Sequence, residues 1–118
     1  AAVGHSTAVP TAVAASFRER GHAVWPQLLP ESSIEHLRRH YLQLLAKEVP
    51  SGVGNDRKQR RHGWHNEPVA GFFHYLIADA IRAMDPHLVP TYVYSVVYLE
   101  DGQLFPHLDR PDNEVSLT

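Results

Sequence analysis

Three stretches of this sequence predict an α+β fold, with amphipathic helices laid against a β-sheet. Residues 30–48 place Ile34, Leu37, Tyr41, Leu44, Leu45 and Glu48 at three- and four-residue steps, and all but the last are apolar. Residues 67–84 trace a second continuous face through Val69, Phe72, Phe73, Leu76, Ile77, Ala80, Ile81 and Met84. Residues 92–99, Tyr-Val-Tyr-Ser-Val-Val-Tyr-Leu, carry the β-branched and aromatic load of a strand whose side chains alternate between faces. Helices with one apolar face need a layer to cover, and the strands after Pro90 are the obvious partner.

In chain order, residues 1–11 are small and polar and read as a flexible tail. Residues 12–118 read as one domain, left incomplete at Thr118. A short helix is expected over 12–20, closed by Gly21 in the left-handed conformation. Residues 22–29 read as a short extended segment, and Pro26 makes it an edge strand or an irregular one. Pro30 and Glu31 suit the start of the next helix, and Pro50, Gly52 and Gly54 end it. Residues 51–66 lack periodicity and read as a loop carrying the basic run Arg57-Lys58-Gln59-Arg60-Arg61. Full burial of the larger residues on the 67–84 face would contribute about 1.5–3 kcal/mol each before entropy is counted. Beyond the strand at 92–99, Asp101-Gly102 suits a hairpin turn with positive φ. The chain is then expected to re-enter extended structure over 103–109, turn at 110–113 and open another strand at 114–118.

Composition narrows the function. The chain has 118 residues, a formal charge of −2 and no cysteine. Disulfides and thiolate metal sites are thereby excluded. The slight acidity argues against a nucleic-acid footprint, which needs a strong basic excess. No apolar run approaches the roughly 20 residues of a membrane span, and no secretory leader is visible. A cytoplasmic protein without membrane association is the expectation. The opening residue is Ala rather than Met, so the given chain is expected to start within or after a processed precursor.

The sharpest chemical signal is His107-Leu108-Asp109. On a strand, residues i and i+2 point to one face with their α-carbons about 6–7 Å apart. An imidazole and a carboxylate so placed can converge on one divalent ion. Near neutral pH the carboxylate is ionised and the imidazole can be neutral, as ligation requires.

The pattern Tyr98-x-x-x-Gly102-x-Leu104-x-x-His107-x-Asp109-Arg110 resembles the first metal-binding motif of the iron(II)/2-oxoglutarate-dependent dioxygenases. The layout of helices before it is similar to the prolyl-hydroxylase-like and phytanoyl-like branches, with close likeness confined to residues 91–110. The resemblance implies N-terminal helices packed on a double-stranded β-helix, or jelly roll, only begun in this sequence. It implies Fe(II) held by His107 and Asp109, with 2-oxoglutarate and O₂ as cosubstrates and a Tyr98 hydroxyl contacting 2-oxoglutarate. It also implies hydroxylation of an unactivated C–H bond in a small molecule, amino acid or peptidyl side chain. A 2-His-1-carboxylate face leaves positions for cosubstrate and O₂. The family's second His, and the Lys or Arg that pairs with the distal carboxylate, lie far downstream; no His follows His107 here, and Arg110 is too close to serve. The chain alone is therefore expected to be inactive, with its sheet completed by the rest of the domain or by a partner chain. A non-enzymatic cupin-like binding module is the alternative.

The other candidates have blander readings. The basic run at 57–61 reads as a solvated loop, and Trp64 and His65 resemble a substrate lid in composition only. Tyr98 can equally be a core tyrosine. His62 and His65 lack the spacing of a ligand pair, and His5, His22, His36, His40, His74 and His87 read as surface or capping residues.

Overall fold

A computed structural model describes residues 8–48 and 55–118. In chain order these form α1 (Thr11–Arg20), α2 (Glu31–Glu48), β1 (Arg61–His65), α3 (Pro68–Ile81) and β2 (Tyr94–Tyr98). The α+β class stands. A jelly roll is not seen: the described strands make one two-stranded antiparallel sheet.

Local chemistry accounts for the helix ends. Gly21 closes α1 at φ 76°, its N–H donating to the Phe17 carbonyl at 2.9 Å. The Pro30 carbonyl accepts from Ser33 and Ile34 and starts α2. Glu67 caps α3 by accepting from the Val69 and Ala70 N–H groups at 3.1 Å, while Pro68 fills a first-turn position where no N–H is needed. α3 ends at Ile81, and single turns carry the chain on to Met84.

Four sequence expectations give way. Residues 22–29 form no strand; they pass through a turn in which Gln27 takes φ 56° and Pro26 can donate nothing to a ladder. The expected loop contains β1 instead, whose short Arg-His-Gly-Trp-His sequence has no apolar alternation to announce it. β2 pairs with this earlier segment, Arg61 opposite Tyr98 through His65 opposite Tyr94, and not with the residues that follow it. Residues 103–109 and 114–118 form no strand. Residues 49–54, including Pro50, Gly52 and Gly54, lie outside the described residues, as does the tail over 1–7.

Packing is thin. Among the described residues the buried apolar side chains are Val13 on α1 and Ala70 and Ile81 on α3. The long apolar faces are only partly covered: Ile34 is 50% exposed and Phe72 58%. The full burial expected for the α3 face is therefore not reached.

What ties the layers together is polar. The Glu67 carboxylate accepts from His40 Nε2 at 2.9 Å and from the Tyr41 hydroxyl at 2.8 Å, both on α2. Ser95 of β2 donates to the same Tyr41 oxygen at 2.7 Å. One carboxylate thus joins α2 and α3, and through Tyr41 it reaches β2. Burial on its own would raise the Glu67 carboxyl, but the bonds from His40, Tyr41, Ala70 and Val69 outweigh it and hold the group at about 2. Tyr41 shifts the other way overall, pushed up to about 12 by burial; the Glu67 charge adds to this and the Ser95 bond opposes it. Tyr41 therefore stays protonated and keeps donating.

Replacing Glu67 by Ala removes the cap and both cross-helix bonds, and should destabilise the fold by about 2–4 kcal/mol in urea unfolding. A carboxyl depressed in the folded state stabilises fully above its ordinary value of 4.5 and loses that stabilisation as pH falls toward about 2. Wild type should weaken across that window, and Glu67→Gln should flatten this part of the stability curve.

Candidate metal site

The segment bearing His107 and Asp109 is fixed by anchors at its two ends. Its start follows the turn Leu99–Gly102, where Asp101 takes φ 61° and the Gly102 N–H donates to the Leu99 carbonyl at 2.8 Å. A Cβ on Gly102 would lie 2.7 Å from the Arg60 carbonyl oxygen, so a side chain here would push two backbones apart. The chain then crosses the 56–60 turn instead of zipping back along β2. The Gln59 carbonyl accepts from Gln103 N–H at 3.0 Å, and its side-chain oxygen accepts from Phe105 N–H at 2.6 Å. Gln59 is itself held by Asp56, through its backbone N–H at 3.1 Å and its side-chain amide at 2.8 Å. Those two bonds, with the Arg61 guanidinium at 3.1 Å, keep the Asp56 carboxyl below its ordinary value.

The far anchor is Asn113. Its N–H closes the Arg110 turn at 2.9 Å, as the sequence implied. Its side-chain amide donates to the Tyr92 hydroxyl at 2.8 Å and accepts from Thr91 at 3.1 Å. The Arg110 guanidinium sits 5.9 Å from the centre of the Tyr92 ring. Between these anchors, Pro106 removes one backbone donor, and residues 105–110 have no ladder partner.

The two candidate ligands nonetheless converge. His107 Nε2 lies 3.5 Å from Asp109 Oδ1. His107 Nδ1 is 2.9 Å from the Phe105 carbonyl oxygen, which can only accept, so Nδ1 carries the proton of the neutral ring. That leaves the Nε2 lone pair free on the side facing Asp109. Asp109 Oδ2 accepts from Ser116 at 2.7 Å, which fixes the carboxylate and leaves Oδ1 for another partner. Hydrogen bonds of this kind from ligand to carbonyl and hydroxyl are those that orient metal ligands. The side chains are 50% and 46% exposed, so an ion would meet water on its other faces. The two side chains meet as strand geometry led one to expect, but irregular backbone and side-chain bonds bring them together. Among the described residues no group of three or more His, Cys, Asp or Glu stands close enough to hold a metal.

Tyr98 ends β2 and is 44% exposed, which removes the core reading. It stands opposite Arg61, on the face of β2 shared by Tyr94 and Val96. Burial on its own would lower the Arg61 guanidinium, but Asp56 and the Tyr98 hydroxyl outweigh it and raise it. His62 and His65 fall on opposite faces of β1 and do not meet in a site.

Two histidines matter in ways their sequence context did not announce. His40 belongs to the Glu67 junction. His62 is buried at 8% exposure, its ring tilted against Trp64 with centroids 4.4 Å apart, with Nε2 3.3 Å from Glu48 and no partner for Nδ1 among the described residues. The Glu67-Pro68 start signal of α3 could have pointed to the first; nothing local marks the second.

No protein-family model, curated protein or solved structure matches this chain. Among the described residues no helix is long and apolar enough to cross a membrane.

The geometry makes a spectroscopic prediction. Long-range ¹H–¹⁵N spectra of the neutral His107 ring should show the Nδ1-protonated tautomer. The Nε2-protonated form, which dominates in free histidine, would mean that the Phe105 contact does not hold the ring.

Proposed function

We propose that this chain supplies the first half of the metal centre of an iron(II)/2-oxoglutarate-dependent oxygenase. The observation that carries the reading is the His107–Asp109 convergence, with Nε2 and Oδ1 3.5 Å apart and the opposite atom of each group already bonded. A separation near 3 Å is what two ligands at about 2.1 Å from one ion subtend at a right angle, so a small closure of the pair suits a first-row divalent ion. The Nε2 lone pair and the carboxylate charge form the hard, mixed N/O donor set that Fe(II) accepts. When bound, the iron, with 2-oxoglutarate and O₂, would supply the oxidising power for hydroxylating an unactivated C–H bond.

The chain's own residues do the positioning. The Phe105 carbonyl sets the His107 tautomer, and Ser116 orients Asp109. The Gln59 and Asn113 anchors hold the intervening backbone. Tyr98 offers a hydroxyl to a carboxylate of the cosubstrate. Among the described residues no second imidazole stands close enough to complete the ligand set. The substrate would be a small molecule, an amino acid or a peptidyl side chain.

Mn(II) titration followed by paramagnetic line broadening tests the site without turnover. Resonances of His107, Asp109 and Ser116 should broaden first in wild type, and His107→Ala or Asp109→Ala should abolish the effect. Ser116→Ala should weaken it by roughly tenfold. Broadening spread evenly over the acidic surface, or unchanged in the two ligand variants, sinks the metal reading. In metal-loaded protein Tyr98→Phe should weaken 2-oxoglutarate by about 0.5–1.5 kcal/mol, and unchanged affinity would remove Tyr98 from the site.

A further inference from the structure

We propose that the outer edge of β2, with the flank of α2 beside it, is a groove that takes an extended peptide segment as an added strand, an acidic side chain of that segment pairing with Arg38. The proposal does not rest on the metal reading and uses neither His107 nor Asp109; further strands of a jelly roll on the same edge would overturn it, and the exchange test below detects them.

The two edges of the β-ribbon are treated differently. The bonds Leu99 N–H to Arg60 carbonyl and Asn66 N–H to Val93 carbonyl set the phase of the ladder. Odd-numbered residues of β2 face β1, so the N–H and C=O groups of Tyr94, Val96 and Tyr98 point away from it. The same phase turns Arg61, Gly63 and the terminal His65 outward on β1, and there the first two are answered. Arg61 exchanges both backbone bonds with Asp56. The Asn55 amide accepts from the Gly63 N–H and donates to the Gly63 carbonyl, both at 3.1 Å, imitating a strand residue. Among the described residues nothing plays either part for Tyr94, Val96 or Tyr98.

An unpaired edge is a template for another strand unless Pro, Lys or a bulge blunts it, and Tyr94–Tyr98 has none of these. Beside it runs a groove lined by Arg38, Tyr41 and Leu42 of α2 and by residues 95–98 of β2. Leu42 and Tyr98 are each 44% exposed, so an added strand would find apolar surface to cover. Arg38 is exposed and in no ion pair among the described residues, whereas its neighbour Arg39 is paired with Glu35 at 3.4 Å.

Charge selects the occupant. Tyr94–Tyr98 carries no acidic residue, so a second copy paired edge to edge would bring another Arg38 and no counter-charge from the strand. An extended segment with alternating apolar side chains and one carboxylate satisfies the edge, the groove and the cation together. Main-chain bonds would supply affinity and the flanking side chains specificity, as in other strand additions.

The probes are fluorescein-labelled nonapeptides of alternating Thr and Val, each with a single Glu placed at one position, and a matching Lys series. Without peptide, the outward amides of Tyr94, Val96 and Tyr98 should exchange freely with solvent, and the best Glu peptide should protect them. Glu should bind roughly two- to fivefold more tightly than Lys at that position, and Arg38→Glu should reverse the order. Val96→Pro deletes an outward donor while leaving the β1 ladder intact, and should weaken binding roughly two- to tenfold with β1 chemical shifts preserved. Slow exchange of these amides without peptide overturns the proposal, because the edge is then already covered. So does failure of every probe to bind, or equal binding of the Glu and Lys series. Self-association in sedimentation that Val96→Pro abolishes would also overturn it, by assigning the edge to a second copy.

Discussion

The Glu67 carboxylate is the constraint on which the arrangement of layers depends. It caps α3, receives His40 and Tyr41 from α2, and through Tyr41 reaches Ser95 on β2. Few apolar side chains among the described residues are buried, so hydrophobic area does not by itself select how the helices sit on the ribbon. A charged acceptor does so more sharply, because its donors must arrive from fixed directions at fixed distances. A carboxylate this enclosed also tolerates the loss of any one donor poorly, since it would be left charged and short of a partner.

The helices were legible in the sequence because their signals are local. Apolar steps of three and four residues mark α2 and α3, and Gly21 marks the end of α1. β2 was legible for the same reason, in the Val and Tyr load of residues 94–98. Its partner was not. Arg61–His65 contains one glycine, two histidines and a cation, and pairs as a strand because Asn55 and Asp56 seal one edge while β2 offers the other. Sequence reasoning favoured the nearest downstream segment at Asp101-Gly102. It had no means of seeing that Gln59 would capture Gln103 and Phe105 across the turn.

The candidate site divides along similar lines. His107 and Asp109 could be singled out by residue type and spacing, and their side chains do meet. The geometry expected to unite them, a regular strand, is absent. Its place is taken by bonds to the Phe105 carbonyl and to Ser116 that no spacing rule contains. Tyr98 shares a face of β2 with Tyr94 and Val96, as alternation implied, but its neighbour Arg61 could be known only from the register.

The β-ribbon joins segments that are not neighbours in the chain. Asn66 and Val93, which bond across its end, are 27 positions apart, and α3 occupies much of the interval. The ribbon therefore cannot nucleate as a local hairpin; closing so long a loop costs entropy before any ladder bond repays it. If α3 is already helical, that interval is shortened and stiffened, and Glu67 at its start brings β1's exit toward α2. Sheet formation in this chain is thus expected to wait on helix docking, placing the transition state for folding late and giving it the non-local contacts that slow folding.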